Sequence, residues 1–317
     1  MLANRRLLFI TLSNIGDLVM TTPLLEALHL SYPNHLIDIV ADARSSELLL
    51  PCPYLGRLLI KDKGAGIPGT YDLIVKLREQ AYDAAVDLRS AILTLFIRSG
   101  QRGIKRRGTS AGTHAVQHHF TALRSIIGPN TEIPDARLWL DEQGRAKAKE
   151  ILSGLPHGRR LVVAPGANWP GKIWPVERYA GLLQQISNDF DSVIVVGSKE
   201  DISLGEQLCS LSPLPTLNTA GTTSLLEAAA CLSGSTAFVG NDSGLGHIAA
   251  ALSVPTVTVF GPGQPDRYRP WGSRAAVVLA PNQDLSALPA EAVAKSLLSH
   301  LAGISGNVTA VGAEQNS

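Results

Sequence analysis

The sequence has little cysteine and no long apolar run. Its three cysteines, Cys52, Cys209 and Cys231, are scattered over 317 residues without CxxC spacing. This arrangement excludes a structural zinc site built on cysteine pairs and fits a reducing compartment. No stretch approaches the roughly 20 apolar residues of a membrane span, and the run from Leu7 to Leu12 is too short for a signal peptide. We therefore expect a cytoplasmic protein that at most sits on a membrane surface.

An excess of charge of either sign is also missing. The chain carries 28 Lys and Arg against 27 Asp and Glu, a formal net charge of +1. Such a balance argues against bulk nucleic-acid binding. With 45% hydrophobic residues the composition is that of a globular protein. The length exceeds that of a comfortable single core and suits two α/β domains of ordinary size.

Strand and helix patterns alternate along the first half of the chain. The apolar run ending at Leu12 is followed by a polar turn, Ser13–Asp17, and then by helical spacing from Leu18 to Leu30. The next strand is expected at Leu36–Val40. Further strands are expected at 57–60 and 84–88, with a helix at 73–79 between them. This alternation is typical of a parallel sheet covered by helices on both faces.

The same alternation restarts after a polar linker, helical in its middle, that extends from Asp141 to Arg160. Strands are expected at 161–164, 192–196, 238–241 and 257–260, and helices at 175–188, 202–210, 223–232 and 285–301. The sequence thus predicts an α/β fold of two Rossmann-like domains facing a cleft, residues 1–155 and 156–302, followed by a flexible tail, 303–317.

The most informative motif is the glycine-rich turn Asn241–His247, which lies between an apolar strand and a short helix. It places Asp242, Ser243 and His247 around a helix N-terminus. Unpaired N–H groups and the helix dipole favour an anion there. Open α/β folds bind nucleotide phosphates at such a site, at the carboxyl end of a parallel strand. The motif therefore indicates a nucleotide-dependent enzyme.

Asp17 follows the first strand directly and has two interpretations. As a first-turn carboxylate it stabilises the helix that begins there. As a carboxylate facing a ligand it accepts a proton from a substrate hydroxyl and serves as general base. Ser13 and Gly16 fit a turn that approaches a ligand closely.

The segment Gly166–Lys172 follows a strand and matches the first seven positions of a Walker A phosphate loop. Ile173 occupies the Ser/Thr position that would hold Mg²⁺, Pro175 postpones the helix, and Pro170 removes a backbone donor. A true P-loop is therefore disfavoured. Lys172 remains as a point charge for a diphosphate, or as a solvated lysine.

Two other side chains are weaker candidates. Glu200 follows the strand at 192–196, where an acidic residue receives ribose hydroxyls or serves the first turn of the next helix. His247 either holds its turn or contacts phosphate. We assign no metal site, because no cluster of His, Cys, Asp and Glu has the spacing of metal ligands.

Carboxylates are absent between Asp87 and Glu132. The basic residues of this span are Arg89, Arg98, Arg102, Lys105, Arg106, Arg107 and Arg124. Such a run forms either a solvated face or a positive field that attracts anions. An acidic sugar, phosphate or anionic lipid fits better than nucleic acid, because aromatic residues for stacking are sparse there.

Together these blocks resemble glycosyltransferase family 9, the ADP-heptose:lipopolysaccharide heptosyltransferases, over roughly residues 5–300. The blocks are Ile10–Asp17 with Thr21–Leu28, Pro165–Ala167 with Lys172–Tyr179, and Gly240–Leu252 with Pro255–Thr256 and Phe260–Pro262. Asn168, Trp169 and Gly246 depart from the residues common in the family.

The resemblance implies the GT-B fold and a metal-independent, inverting transfer of heptose from ADP-heptose to a lipopolysaccharide inner-core acceptor. The resemblance also implies that this transfer needs no cofactor besides the donor substrate. Asp17 would be the catalytic base. The residues implied to bind the donor are Lys172, Glu200, Asp242, Ser243, Gly244, Leu245 and His247. Those implied to bind the anionic lipid-linked saccharide are Ser13, Arg102, Lys105, Arg106 and Arg107.

Three alternatives remain at this point. Some relatives use another nucleotide sugar or modify a protein or another glycan. An ATP-using P-loop protein would need Mg²⁺ and would depend on Lys172. A non-catalytic nucleotide- or anion-binding protein would have no role for Asp17. We also expect a cytoplasmic protein that is at most peripheral on the inner membrane, and we expect no nucleic-acid partner.

Overall fold

The computed structural model describes residues 5–62, 64–89, 93–105 and 113–313. The chain divides into two compact units, Met1–Leu140 and Asp141–Ser317. This division precedes the boundary expected at residue 155. Among the described residues, no helix has both the length and the apolar character needed to cross a membrane.

The first unit is an open parallel sheet with helices on it. Its strands are β1 (Arg6–Ile10), β2 (Leu36–Ala41), β3 (Leu55–Ile60), β4 (Tyr82–Asp87) and β5 (Ser99–Ile104). Its helices are α1 (Ile15–Val19), α2 (Thr22–Ser31), α3 (Gly66–Arg78), α4 (Ala115–Phe120) and α5 (Arg124–Ile127). The strand order is β3-β2-β1-β4-β5, all parallel in the described ranges.

The strands that can be recognised in the sequence are mostly those that are buried in the sheet. Leu7, Leu8, Phe9 and Ile10 of β1 are fully buried, as the continuous apolar run of a central parallel strand requires. The edge strand β5, with the sequence Ser-Gly-Gln-Arg-Gly-Ile, was not expected because it lacks such a run.

The helix expected at 18–30 is two helices. The threonine hydroxyls at the junction donate to helix carbonyls, from Thr21 to Leu18 O at 2.7 Å and from Thr22 to Val19 O at 2.9 Å. Pro23 then stands in the first turn of α2, where its missing N–H has no consequence for the helix.

The second unit repeats the architecture with a wider sheet. Its strands are β6 (Arg160–Ala164), β7 (Ser192–Val195), β8 (Thr216–Asn218), β9 (Ala237–Asn241), β10 (Thr256–Phe260) and β11 (Ala275–Leu279). Its helices are α6 (Glu142–Ile151), α7 (Val176–Gln185), α8 (Ile202–Leu211), α9 (Leu225–Ser233), α10 (Gly244–Ala251), α11 (Pro265–Tyr268) and α12 (Ala290–Ala313). The order is β11-β10-β9-β6-β7-β8, parallel throughout the described residues.

Two boundaries of the second unit differ from the sequence expectation. Helix α6, read as linker, packs against α9 and so lies in the second unit. Helix α12 continues to Ala313, through most of the segment expected as a tail. The edge strands β8 and β11 were not expected, and both are only partly buried.

In both sheets the chain order reverses once. The reversal lies between β1 and β4 in the first sheet and between β6 and β9 in the second. Loops that leave neighbouring strands at such a point diverge, which opens a crevice at the carboxyl edge of the sheet. Asp17 follows β1, while Lys172 and Asp242 follow β6 and β9. The fold therefore places the main sequence candidates at the two reversal points.

Candidate active site

The centre of the second unit's site is an ion pair across the crevice between β6 and β9. Lys172 Nζ lies 2.5 Å from Asp242 Oδ2, and the two side chains are 28% and 11% exposed. The lysine stands in a short 3₁₀ turn, Pro170–Lys172, and α7 begins only at Val176. The helix thus does not follow the loop directly, which distinguishes this segment from a P-loop.

Asn241, the last residue of β9, fixes the loop that carries Lys172. Its buried Oδ1 accepts hydrogen bonds from the Trp174 backbone N–H at 3.1 Å and from the Tyr179 hydroxyl at 3.0 Å. Its Nδ2 donates to Pro165 O at 2.7 Å and to Gly166 O at 3.3 Å. One amide thus joins the end of β9 to both ends of the loop. Sequence reasoning assigned Asn241 no role, although it stands directly beside Asp242.

Helix α10 begins at Gly244 with Ser243 as its N-cap residue. The Ser243 side chain makes no capping bond, and its buried Oγ has no hydrogen-bond partner among the described residues. Because the first N–H groups of a helix have no intrahelical acceptor, those of Gly244 and Leu245 are available to an anion. His247 is buried within the same helix. The arrangement provides oriented donors and one ammonium group.

Two glycines allow the loops to approach these side chains. A Cβ on Gly263, in the loop after β10, would lie 2.7 Å from Asp242 Oδ2. A Cβ on Gly166 would overlap the carboxylate of Asp201. Asp201 Oδ2 in turn accepts hydrogen bonds from the N–H and the hydroxyl of Ser198, each at 2.8 Å. Larger residues at either glycine would displace a carboxylate of the site.

Glu200 is exposed in the 3₁₀ turn Lys199–Asp201, just beyond the carboxyl end of β7. The hydrogen bond from its own backbone N–H holds the pKa of this carboxyl below its ordinary value. Glu200 thus follows β7, the strand next to β6, but Asp201 and not Glu200 lies against Gly166. Glu200 is therefore an ionised acceptor beside the Lys172 loop.

Two further features of the sequence lie near the Lys172 loop or resemble a metal-binding motif, but neither places a carboxylate in the crevice. They are Trp169 and the Asp-x-Asp triplet Asp189–Asp191. The half-exposed indole of Trp169 lies over Gly171, where a Cβ would come within 2.7 Å of the ring. The triplet Asp189–Asp191 precedes β7, at the amino edge of the sheet. There Asp191 Oδ2 accepts the backbone N–H of Arg159 at 2.6 Å.

In the first unit, Asp17 lies in α1, directly after the turn that leaves β1. The side chain of Asn14, the N-cap residue, does not cap the helix but donates from Nδ2 to Asp17 Oδ2 at 3.0 Å. Asp17 is partly exposed and its second oxygen is not used in this bond. The carboxylate is thus oriented by a neighbour and remains accessible, as a base must be.

Basic side chains that the sequence reasoning did not assign surround the same sheet edge. Lys61 follows β3, and burial together with nearby Arg89 lowers its pKa. Arg89 follows β4; its backbone N–H donates to Asp87 Oδ1 at 2.9 Å and its Nη2 lies 3.8 Å from Asp42 Oδ2. Arg89 Nη1 is buried and has no hydrogen-bond partner among the described residues.

These residues adjoin an open pocket of about 490 Å³. It is lined by Asp42, Ala43, Arg44, Ile60, Lys61 and Asp62. Each of the strands β2, β3 and β4 is followed within two residues by a charged side chain. That position directly after a parallel strand is the signal from which this group could have been found.

The acceptor candidates of the sequence analysis are separated by the structure. Ser13 lies in the turn after β1, and Lys105 follows β5, where its N–H donates to Asp87 O at 3.1 Å. Arg102 instead lies within β5, and its guanidinium donates to Thr94 O at 3.0 Å and to Ile97 O at 3.2 Å. Arg106 and Arg107 lie outside the described residues. Ser13 and Lys105 therefore share the edge with Asp17, whereas Arg102 holds a turn.

The model of glycosyltransferase family 9 (heptosyltransferase) matches residues 70–297. The chain belongs to this family. Lipopolysaccharide heptosyltransferase 2 of Salmonella typhimurium is 30% identical, with 86% of this chain and 87% of that protein covered. The family assignment makes this protein a glycosyltransferase.

Solved structures agree with that assignment. The ADP-heptose lipopolysaccharide heptosyltransferase II of Escherichia coli is 26% identical with a TM-score of 0.78, covering 95% of this chain and 99% of that chain. A family 9 glycosyltransferase from Veillonella parvula, 21% identical, superposes with a TM-score of 0.83 and shares the fold over 96% of this chain and 99% of that one. The two Rossmann-like units are thus those of the GT-B class, as expected from the sequence.

Proposed function

We propose that this family 9 enzyme transfers heptose from ADP-heptose to an inner-core lipopolysaccharide acceptor, with inversion and without a metal ion. The observation that carries the proposal is the Lys172–Asp242 pair beside the N-terminus of α10. The names of the relatives at 30% and 26% identity supply the sugar and the nucleotide.

In the reaction, an acceptor hydroxyl oxygen attacks the anomeric carbon while the bond from that carbon to the diphosphate oxygen breaks. ADP leaves with the bonding electrons and gains negative charge. We assign the stabilisation of that charge to Lys172 and to the N–H groups of Ser243, Gly244 and Leu245. Asp242 orients the ammonium, Glu200 receives the nucleoside end, and buried His247 supports the turn.

The general base in this proposal is Asp17, which takes the proton of the acceptor hydroxyl as the new bond forms. Its accessible position after β1 and its hydrogen bond from Asn14 support the role. We place the anionic acceptor near the same edge, with Lys61, Arg89 and Lys105 as the cations that attract it. Ser13 lies in the same turn, and Arg106 and Arg107 remain acceptor candidates.

Arg102 remains an acceptor candidate and has a second role in the proposal. Two of its N–H groups donate to the carbonyls of Thr94 and Ile97 and hold the turn between β4 and β5, and the guanidinium has further donors for the acceptor. The partners we propose are a nucleotide sugar and an anionic lipid-linked saccharide, and we propose no nucleic-acid partner. The enzyme would act at the cytoplasmic face of the inner membrane.

A thermal-shift panel of nucleotide sugars tests the donor assignment. A ligand at about 100 times its Kd stabilises a protein by about 2.7 kcal/mol. We expect ADP and ADP-heptose to raise the Tm, and UDP- and GDP-sugars to leave it unchanged. The variant Lys172→Met should show no Tm increase with ADP, while its Tm without ligand should equal that of the wild type. A shift with UDP-sugars would instead favour the alternative of a different nucleotide sugar.

A further inference from the structure

Helix α3 of the first unit has apolar residues on two opposite faces. Leu73 and Leu77, four residues apart, are buried in the core of the unit. Ile67, Tyr71 and Val75 also follow one another at intervals of four, which aligns them in one stripe. Their exposed fractions are 86%, 66% and 46%. Leu73 and Leu77 therefore pack in the core, whereas the stripe of Ile67, Tyr71 and Val75 remains exposed to solvent.

The neighbouring 3₁₀ turn, Leu93–Phe96, extends the uncovered surface. Leu93 packs into the same core cluster as Leu73 and Leu77, and the turn contacts α3. The next two apolar residues of the turn, Leu95 and Phe96, are 65% and 53% exposed. We call Ile67, Tyr71, Val75, Leu95 and Phe96 the apolar patch.

The patch is a concentration of exposed apolar surface. Thirteen large hydrophobic side chains are exposed in the described part of the chain, and the patch holds five of them on two adjoining elements. Scattered exposed leucines need no explanation, whereas a contiguous apolar surface marks an interaction site.

The charge around the patch is mainly positive. Arg78 stands three residues after Val75 and continues the stripe, Lys76 lies beside it, and Arg98 follows Phe96 by two residues; all three are exposed. The opposing carboxylates are Asp72 on α3 and Glu79 directly after it, and Glu79 is paired with Arg57 Nη1 at 3.0 Å. The turn itself belongs to the span between Asp87 and Glu132 that has no carboxylate. Apolar residues rimmed by cations match the surface of a bilayer with anionic headgroups.

We propose that the apolar patch docks the enzyme on an anionic lipid bilayer, with the stripe of α3 lying in the headgroup region. Tyr71 suits this depth because its ring is apolar and its hydroxyl is polar. Helix α3 begins five residues after Lys61, which lines the pocket assigned to the acceptor. Docking by α3 would therefore bring that pocket close to the headgroups from which a lipid-linked acceptor projects, a consequence that rests on the proposed function.

The test is cosedimentation of the full-length enzyme with vesicles that contain no acceptor. One set is phosphatidylcholine alone and the other is phosphatidylcholine mixed with phosphatidylglycerol. We expect binding to the anionic set that weakens as salt is added, because salt screens the basic rim. The triple variant Ile67→Ser, Tyr71→Ser, Val75→Ser should bind these vesicles at least roughly tenfold more weakly than the wild type.

Two further variants separate docking from folding. Leu30→Ser with Leu211→Ser removes apolar residues that are exposed elsewhere, at 65% and 45%, and should bind vesicles like the wild type. Arg78→Gln with Arg98→Gln keeps the patch and should weaken binding roughly thirtyfold, about 1 kcal/mol for each of the two cations lost. An unchanged Tm and an unchanged ADP-induced shift show that each variant is folded.

The proposal is overturned if the wild type ignores both vesicle sets, or if the triple variant binds them as well as the wild type does. It is also overturned if the wild type is a dimer and the triple variant a monomer, because the patch would then join two copies. Vesicle binding and sugar transfer are separate readouts. An enzyme that docks but transfers no heptose would contradict the proposed function and leave the docking surface in place.

Discussion

Replacing Asp17 by Asn should lower kcat for heptose transfer by roughly a hundred- to ten-thousandfold, the range of general acid–base catalysis. The exchange is isosteric, and an amide oxygen at this position can still accept the hydrogen bond from Asn14 Nδ2. The proton acceptor is lost while the shape of the turn is kept. Because the donor residues lie in the second unit, the Kd for ADP should not change. Steady-state kinetics and calorimetry measure the two quantities.

The control for this exchange is Glu132→Gln, which neutralises an exposed carboxylate of the same unit. It should leave kcat unchanged. The alternative interpretation makes Asp17 a helix-stabilising carboxylate, worth about 0.3–1 kcal/mol at an exposed site. That interpretation predicts a lower Tm for Asp17→Asn with nearly full activity, a result that would remove Asp17 from the mechanism.

Replacing Asn241 by Leu should lower the free energy of unfolding by about 3 kcal/mol or more. The amide makes four hydrogen bonds in a fully buried position, and leucine leaves the Trp174 N–H and the carbonyls of Pro165 and Gly166 without that partner. Each unsatisfied buried group costs about 1–3 kcal/mol. Since these groups anchor the Lys172 loop, ADP binding should weaken as well. Urea denaturation and calorimetry report the two effects.

Tyr179→Phe is the matched comparison for Asn241→Leu. It removes one hydroxyl from the same network and leaves the bonds between Asn241 and the loop intact. We expect a loss of about 1 kcal/mol in stability and an unchanged Kd for ADP. If both variants lost stability equally and neither weakened ADP binding, Asn241 would be an ordinary core residue without a role in placing Lys172.

The sequence predicts the central strands of this fold well and its edges poorly. The strand β1 and the strand at 192–196 are continuous apolar runs because they are buried on both faces. By contrast three of the four edge strands, β5, β8 and β11, were not expected, and only the edge strand β3 was. Polar residues or glycine interrupt β5 and β8, whereas β11 is a short apolar run, Ala-Ala-Val-Val-Leu, that is only partly buried. Their presence follows from pairing with an inner strand, which no local pattern encodes.

In the candidate site, too, some features follow from a local sequence pattern and others depend on the fold. The turn at Asp242 and the turn at Asp17 are recognisable because each follows an apolar strand and opens a helix. The Lys172–Asp242 pair joins residues 70 positions apart and depends on the adjacency of β6 and β9. A charge pattern alone also does not reveal the hydrogen bonds of Arg102, because the carbonyls that accept them are known only from the fold.

In the proposed reaction, Asp17, Lys172 and the N-terminal dipole of α10 perform an inverting heptose transfer without a metal ion. The most direct measurement follows ADP formation from ADP-heptose with an inner-core acceptor in EDTA, and determines the anomeric configuration of the product by NMR. We predict acceptor-dependent ADP release at the same rate with and without EDTA, and a product of inverted configuration. Activity that disappears in EDTA and returns with Mg²⁺, or a product of retained configuration, would contradict this mechanism.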